Sequence, residues 1–152
     1  DQSWQRIQIS NNPTGEVRQG HATNGVKFVT AIEPMHGSQL SIYTKNEGQT
    51  KWNRNIIDDT LDQGHALATG DFMATGADQI IAGWRGTRRN GKVGIKFYYP
   101  IDKDRTRWKS LLIDDKQMAT EDIRVADLNA DGKLDIVAAG RASNNLKIYF
   151  NE

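Results

Sequence analysis

The chain has 152 residues and a formal net charge of +1 at pH 7, so it is long enough for one domain with its own hydrophobic core. Charges of both signs are scattered along it, and nothing in this balance points to a nucleic-acid partner. Cysteine is absent, which excludes disulfides and thiolate metal sites. No apolar run approaches the ~18 residues of a membrane-spanning helix, so no span is expected.

Short apolar stretches separated by turn residues predict an all-β chain, and a count of 14 glycines against 3 prolines agrees with many turns. Two patterns recur in the same order. Three tryptophans each precede an isoleucine by five residues: Trp4 and Ile9, Trp52 and Ile57, Trp108 and Ile113. Three apolar-x-apolar-Tyr stretches end at Tyr43, Tyr98 and Tyr149. Internal repetition of this kind indicates stacked copies of one sheet unit.

These patterns predict a single segment, 1–152, built from three units at approximately 21–57, 64–113 and 121–150. Each unit is expected to hold four short antiparallel strands, although the third lacks the fourth. The predicted strands are 21–24 (a weak one), 26–32, 39–43 and 52–57; then 66–72, 79–84, 93–99 and 108–113; then 123–128, 134–139 and 146–150. The segment 4–9 is predicted to be a fourth strand that completes another unit.

A stretch of alternating oxygen-bearing residues lies between the first two strands of the third unit. Its predicted calcium ligands are Asp127, Asn129, Asp131, the backbone carbonyl of Lys133, and Asp135. Gly132 permits the sharp turn that lets these oxygens converge on a hard cation. An EF-hand is excluded because its twelfth position, a bidentate Glu, is Ala138 here, and a strand follows instead of a helix.

The alternative is an Asx-rich turn without metal, since Asn, Asp and Gly are ordinary turn residues. Three aspartates and one asparagine within nine residues favour a bound cation, because the carboxylates otherwise repel one another. The second unit keeps only one acid at the corresponding positions, which are occupied by Asp71, Met73, Thr75 and Gln79. We therefore expect one calcium site.

A second set of polar residues is predicted at the end of the sheets away from this turn. His21 and His65 each follow a glycine and are aligned at the start of an inner strand, where the third unit has Glu121. Neutral imidazoles with a carboxylate are ligands that zinc or another divalent metal selects, so His21, His65 and Glu121 form a possible second metal site. The alternative is that the repeated Gly-His serves only the fold.

Two arginines, Arg85 and Arg141, are predicted to end the second strands of their units at the same end, and His36 lies in a loop there. Guanidinium groups beside imidazoles could hold a carboxylate or a sugar-derived oxyanion. The candidate catalytic residues are accordingly His65, His21, Arg85 and Arg141. Trp84, next to Arg85, is the tryptophan most suited to sugar stacking, since the other three are expected to pack in the sheets.

Residues 123–150 resemble an FG-GAP or VCBS-type repeat. That resemblance implies a β-propeller in which each repeat is one four-stranded antiparallel blade and the turn between its first two strands binds calcium. The stretches Gly64–Leu67, Gly83–Arg85 and Pro34–Gly37 are also similar to propeller domains of aldos-2-ulose dehydratase-like sugar lyases. The second resemblance implies a metal-dependent elimination on a keto-sugar.

The expected architecture is thus a β-propeller segment of three antiparallel blades. Because propellers usually have four to eight blades, the remaining blades would come from a longer parent chain or from a second copy. The expected function is a calcium-stabilised binding or scaffold module, extracellular or periplasmic, with a carbohydrate or protein ligand. The alternative is a divalent-metal-dependent lyase or dehydratase with histidines at the channel mouth.

Overall fold

The computed structural model describes residues 3–23, 25–89 and 91–152, and every regular element in these ranges is a strand. The all-β prediction is confirmed. Over the same ranges we find no helix with the length and apolar character needed to cross a membrane. The strands are β1 (Val17–His21), β2 (Lys27–Glu33), β3 (Gln39–Thr44), β4 (Asn53–Asp58), β5 (Gly64–Gly70), β6 (Gln79–Trp84), β7 (Gly94–Pro100), β8 (Trp108–Asp115), β9 (Thr120–Ala126), β10 (Asp135–Gly140) and β11 (Asn145–Tyr149).

The strands form three antiparallel sheets in chain order. The first sheet has the order β1-β2-β3-β4, the second β5-β6-β7-β8 and the third β11-β10-β9. Ten strands lie within three residues of their predicted bounds. Four residues inside the predicted units or the predicted segment 1–152, namely Asp1, Gln2, Asn24 and Asn90, lie outside the described residues.

Two strand predictions are wrong. The first inner strand is Val17–His21 rather than 21–24, because Ala22 begins a tight turn in which Gly25 donates to the Ala22 carbonyl at 2.8 Å and has φ of 76°. The segment 4–9 pairs with no sheet, and Trp4 is 92% exposed. The segment contacts the first sheet through its end, where Ser10 meets the Tyr43 hydroxyl.

The core lies between the sheets in two layers. One layer joins the first and second sheets through Phe28, Ile32, Leu40 and Ile42 on one side and Leu67, Ile80, Trp84 and Tyr98 on the other. The second layer joins the second and third sheets and contains Ile81, Ile95, Met118, Ile123 and Ile136. Strand β6 is buried along its whole length because it contributes to both layers.

One polar contact recurs at both junctions between sheets. The Asp58 carboxylate, at the end of β4, accepts hydrogen bonds from the Tyr98 hydroxyl at 2.7 Å and the Lys96 ammonium at 2.8 Å. At the next junction Asp114 accepts from Tyr149 at 2.7 Å and from Lys147 at 3.3 Å. In each case the fourth strand of one sheet is tied to the third strand of the next.

The outer face of the first sheet is closed by a different network. Glu33 is 1% exposed and accepts hydrogen bonds from Ser41, Tyr43 and Arg54. Burial alone would raise the pKa of Glu33, but these hydrogen bonds outweigh it, so the pKa lies below its ordinary value. The Tyr43 hydroxyl also contacts Ser10, which brings the N-terminal segment onto this face.

Candidate functional site

The polar residues of interest divide between the two ends of the sheets. The turns that follow the inner strands β1, β5 and β9 share one end, because Asp78 donates its backbone N–H to the His21 carbonyl and Asn151 reaches the Phe72 carbonyl. We call this the turn end. The beginnings of β5 and β9 lie at the other end, which we call the opposite end.

The predicted calcium turn, 127–135, is a tight loop closed by hydrogen bonds from its backbone N–H groups to its own carboxylates. The two carboxylate oxygens of Asp127 accept backbone N–H bonds from Asp131 at 3.1 Å and Gly132 at 2.9 Å. Gly132 has φ of 87° and Ala130 φ of 61°, so the chain turns through the left-handed region twice. This geometry is the sharp turn that the sequence predicted.

The remaining predicted ligands are arranged around the same turn. Asp131 accepts from the Lys133 backbone N–H at 2.8 Å, which is the main reason its pKa is lowered. Asn129 donates to Asp131 at 3.0 Å. Asp135 is fully buried, and its two oxygens accept from the backbone N–H groups of Leu128 and Asn151. Each carboxylate thus already has a protein donor, and further lone pairs remain for a cation.

The second turn has the same backbone but different side chains. Asp71 accepts from the N–H groups of Thr75 at 2.8 Å and Gly76 at 2.6 Å, and Ala74 and Gly76 both have positive φ. Burial alone would raise the pKa of Asp71, but these hydrogen bonds lower it. The fold of this turn is therefore kept with one acid, its glycine and the neutral side chains of Thr75 and Gln79. Within residues 3–23, 25–89 and 91–152, no three His, Cys, Asp or Glu side chains are grouped closely enough to hold a metal as they stand.

His21 does not lie where its alignment with His65, through the two Gly-His-Ala stretches of this chain, predicted. It ends β1 at the turn end, and its ring Nδ1 is 2.9 Å from the Asp78 carboxylate. His65 begins β5 at the opposite end. Strand β5 has 7 residues, and six steps of about 3.3 Å separate its two ends by roughly 20 Å. The proposed metal set of His21, His65 and Glu121 is therefore not brought together.

The reason for the error is the register of the first inner strand. Val17 pairs with Ala31, as Leu67 pairs with Ala82 in the second sheet, and counting forward makes Gly20 equivalent to Gly70. His21 then corresponds to Asp71, the first residue of the second turn, and not to His65. The two Gly-His-Ala stretches are alike in sequence only.

A cluster does form at the opposite end, from residues of all three sheets or their loops. We call His36, His65, Arg85, Glu121 and Arg141 the imidazole–arginine cluster. The His36 and His65 rings stack with centroids 4.5 Å apart. The His65 Nδ1 donates to the Glu121 carbonyl at 2.8 Å, and its Nε2 is 3.9 Å from the Glu121 carboxylate.

Glu121 is the centre of this cluster. Arg85 donates to its carboxylate at 2.6 Å, and the Arg141 Nε is 3.9 Å away. The hydrogen bond from Arg85 is the main reason the pKa of Glu121 is lowered, and the positive charge nearby adds to it. Arg85 is largely covered, with 17% of its side chain exposed, whereas 75% of the Arg141 side chain is exposed.

Trp84 is not available to a ligand. It is 4% exposed, packs between the first and second sheets, and donates its indole N–H to the Lys92 carbonyl at 2.8 Å. The prediction that it stacks on a sugar is therefore wrong. Trp84 and Arg85 are neighbours in the sequence, but the side chains of successive strand residues point to opposite faces of the sheet.

Two functional features were missed at the sequence level. The partner of His36 was not identified, because ring stacking between loops leaves no pattern in sequence. The Asp–Tyr–Lys contacts at the sheet junctions did leave one, since Asp58 and Asp114 follow the recurring isoleucines directly.

No protein-family model matches this chain, and no curated protein matches it at a significant level.

Proposed function

We propose that this chain is a calcium-stabilised β-propeller segment that acts as a binding module, with its ligand held at the imidazole–arginine cluster. The proposal rests on one observation above all. Glu121 is already bound to Arg85, so the guanidinium of Arg141 stays largely exposed beside it and only weakly neutralised.

The chemistry of the cluster favours an anionic ligand. One carboxylate faces two guanidiniums, so the cluster carries excess positive charge even with both imidazoles neutral. Guanidinium groups bind carboxylate or sulfate through paired hydrogen bonds, and the His36 ring adds a flat surface at the rim. The expected ligand therefore bears a carboxylate or sulfate group, as an acidic saccharide does.

The first test is titration calorimetry with a glucuronate oligosaccharide against a neutral glucan of equal length. We expect binding of the acidic saccharide only. Arg141→Ala should weaken it about tenfold or more, since a hydrogen bond to a charged group contributes a net ~1.5–3 kcal/mol. Glu121→Gln should strengthen it, because the competing carboxylate is removed.

The matched control is Arg124→Ala, which removes an arginine of the third sheet that is 69% exposed, against 75% for Arg141, and that pairs with Asp122 outside the cluster. Binding that is equal in Arg141→Ala, Arg124→Ala and the unmodified chain would contradict the proposal. An acidic peptide that binds through Arg141 when the saccharide does not would reassign the ligand class.

Calcium is proposed for the turn 127–135. The donors that would hold it are the side chains of Asp127, Asn129, Asp131 and Asp135 and the backbone carbonyl of Lys133. Oxygen donors of this number and kind suit calcium, and the ion would supply charge compensation to the turn. An extracellular or periplasmic location is proposed with it, because calcium is abundant there.

The alternative of a divalent-metal-dependent lyase receives less support. It requires His21, His65 and Glu121 around one ion, and His21 is at the other end of the sheets. A binding module requires only the residues that do meet. It is therefore the function that we put forward.

A further inference from the structure

The N-terminal segment has the contacts of a fourth strand without a sheet. Asp58 and Asp114, at the ends of the fourth strands β4 and β8, accept hydrogen bonds from tyrosines of the next sheet. Ser10 follows Trp4–Ile9 as these aspartates follow their own tryptophan segments, and its hydroxyl is hydrogen-bonded to the Tyr43 hydroxyl at 2.9 Å. Residues 4–9 therefore contact the first sheet at the place where β4 contacts the second sheet and β8 contacts the third.

The segment itself is unpaired. Trp4 is 92% exposed and Ile7 is 60% exposed, whereas Trp108 is partly buried against the core between the first two sheets. Trp108 reaches that core because β8 is paired with β7, and its ring meets Phe28 edge-on at 6.4 Å between centroids. Trp4 has the same place in its pattern but packs against neither core layer of the described residues.

The third sheet has three strands in the described chain where the other two sheets have four. Among the described residues its edge strand β11 pairs with β10 alone, whereas the equivalent strands β3 and β7 each pair with a fourth strand as well, β4 and β8. Beside this edge, between the second and third sheets, lies an apolar cleft of about 680 Å³. Its lining includes Phe97, Tyr99, Leu111 and Tyr149. At the junction between the first two sheets, the fourth-strand tryptophan Trp108 packs against the core.

The outer face of the third sheet is also uncovered. Leu146 is 72% exposed and Ile148 is 49% exposed. Their counterparts in the first sheet, Leu40 and Ile42, are 0% and 2% exposed because the second sheet covers them. Apolar side chains at these places are buried wherever a neighbouring sheet is present.

We propose that a second copy of this chain supplies residues 4–9 as the fourth strand of the third sheet, with Trp4 in the apolar cleft. The exchange is reciprocal, so two copies form a closed two-fold dimer of six sheets. It continues the sheet-to-sheet contact that the chain already makes twice. This inference rests on the propeller-segment part of the proposed function and names its partner.

The segment cannot serve its own third sheet. Six residues reach at most about 20 Å when extended, and Ser10 is anchored on the first sheet with the second sheet in between. A partner copy meets no such limit. Its own third sheet and N-terminal segment complete the exchange in the other direction.

The two complete sheets predict the register of the new strand pair. The third residue after the tryptophan pairs with the residue before the tyrosine: Asn55 with Ile42, and Leu111 with Phe97. The corresponding residues are Ile7 and Ile148. We therefore expect Ile7 of one copy to lie opposite Ile148 of the other.

The test begins with the mass of the full chain by light scattering at roughly 100 µM, well above a micromolar Kd. We expect twice 17.1 kDa. Trp4→Ala should raise the dimer Kd at least about tenfold, as loss of a buried aromatic anchor does. Met35→Ala, which truncates a side chain that is 62% exposed outside the proposed contact, should leave it unchanged.

The register is tested by cysteine cross-linking, since the chain has no cysteine of its own. Ile7→Cys and Ile148→Cys, prepared separately and mixed, should form a mixed disulfide. Ile7→Cys mixed with Leu128→Cys, a residue 46% exposed at the turn end, should not. Ile7→Pro should abolish the dimer with an unchanged circular dichroism spectrum, because residues 4–9 make no sheet bond within the chain.

A monomer at this concentration overturns the strand exchange, as does a dimer that survives Ile7→Pro or a series of growing polymers. If the monomer still binds the acidic saccharide through Arg141, only the exchange has failed and the proposed function stands. If the dimer forms but Arg141→Ala does not affect ligand binding, the ligand site has failed and the exchange stands.

Discussion

Asp58 and Asp114 each hold two sheets together with one buried carboxylate. The hydroxyl of a tyrosine and the ammonium of a lysine converge on it from the third strand of the following sheet. Burial raises the pKa of Tyr149, and the hydrogen bond to Asp114 raises it further, so the phenol stays a donor at neutral pH.

Tyr149→Phe should lower the free energy of unfolding by about 1–2 kcal/mol, because it leaves a largely buried carboxylate with one donor fewer. The measurement is urea unfolding followed by tryptophan fluorescence. The ring stays in place, so packing against the second core layer is kept.

Tyr99→Phe is the matched control for this prediction. In the described part of the chain the Tyr99 hydroxyl makes no hydrogen bond, and its ring stacks on Phe97 at 6.0 Å between centroids. The control should change stability by less than about 0.5 kcal/mol. Equal effects of the two substitutions would show that the contact to Asp114 contributes nothing.

The turns 71–78 and 127–134 show how one backbone element accepts two sets of side chains. Both bend through a positive-φ alanine and a positive-φ glycine, and both begin with an aspartate that accepts two backbone N–H bonds. Thr75 in the second turn corresponds to Asp131 in the third. The backbone of the turn therefore does not depend on the extra acids of the third turn. Those acids are explained by the proposed calcium site.

Calcium should stabilise the chain through the third turn only. At a calcium concentration about 100 times its Kd the gain is about 2.7 kcal/mol, or roughly 5–10 °C in Tm. Asp131→Asn should remove most of this calcium-dependent shift while leaving the Tm in chelator nearly unchanged. Differential scanning calorimetry with calcium and with chelator measures both.

Asp71→Asn in the second turn is the control. It should lower the Tm in chelator, because Asp71 accepts the bonds that close its turn, yet leave the calcium-dependent shift intact. A Tm that is the same with calcium and chelator in the unmodified chain would refute the proposed site.

The molecule as a whole is a row of three sheets whose two outer faces differ. The first sheet closes its face with the Glu33 network and the N-terminal segment, whereas the third sheet leaves Leu146 and Ile148 exposed. A row of sheets with one apolar end and one unpaired strand segment has an obvious complement in another copy. The strand exchange described above follows from this asymmetry.

The whole chain should lose stability in acid through its bonded carboxylates. Burial raises the pKa of Asp58, but the hydrogen bonds from Lys96, Thr60 and Tyr98 outweigh it, and the pKa is lowered from 3.8. A lowered pKa in the folded state contributes stability above the unfolded value and loses it as pH falls through the folded value. Unfolding free energies measured between about pH 6 and pH 3 should therefore fall steeply below pH 4.

Asp58→Asn should be less stable than the unmodified chain at pH 6 and should fall less steeply with acid. Asp59→Asn is the neighbouring control, because the Asp59 side chain is exposed and has no ion pair among the described residues. Parallel acid curves for Asp58→Asn and the unmodified chain would contradict this account.

Local patterns were sufficient for ten of the strands and for the turn. Alternating apolar residues define a strand wherever it lies, and the glycine and aspartates of 127–135 close their turn through bonds within nine residues. The position of His21 could not be read in this way, because it depends on which residue of β2 faces Val17. A shift in that pairing moved His21 from one end of the sheets to the other.

The amino-acid order thus specified the sheet units, their strands and the tight acidic turn, all of which depend on neighbours along the chain. The packing of separate sheets decided the rest. It stacked His36 on His65, paired Glu121 with Arg85 and buried Trp84. It also left residues 4–9 without a strand to pair with in the described chain. Contacts between sheets join residues far apart in sequence, and only the three-dimensional register of those sheets determines which of them meet.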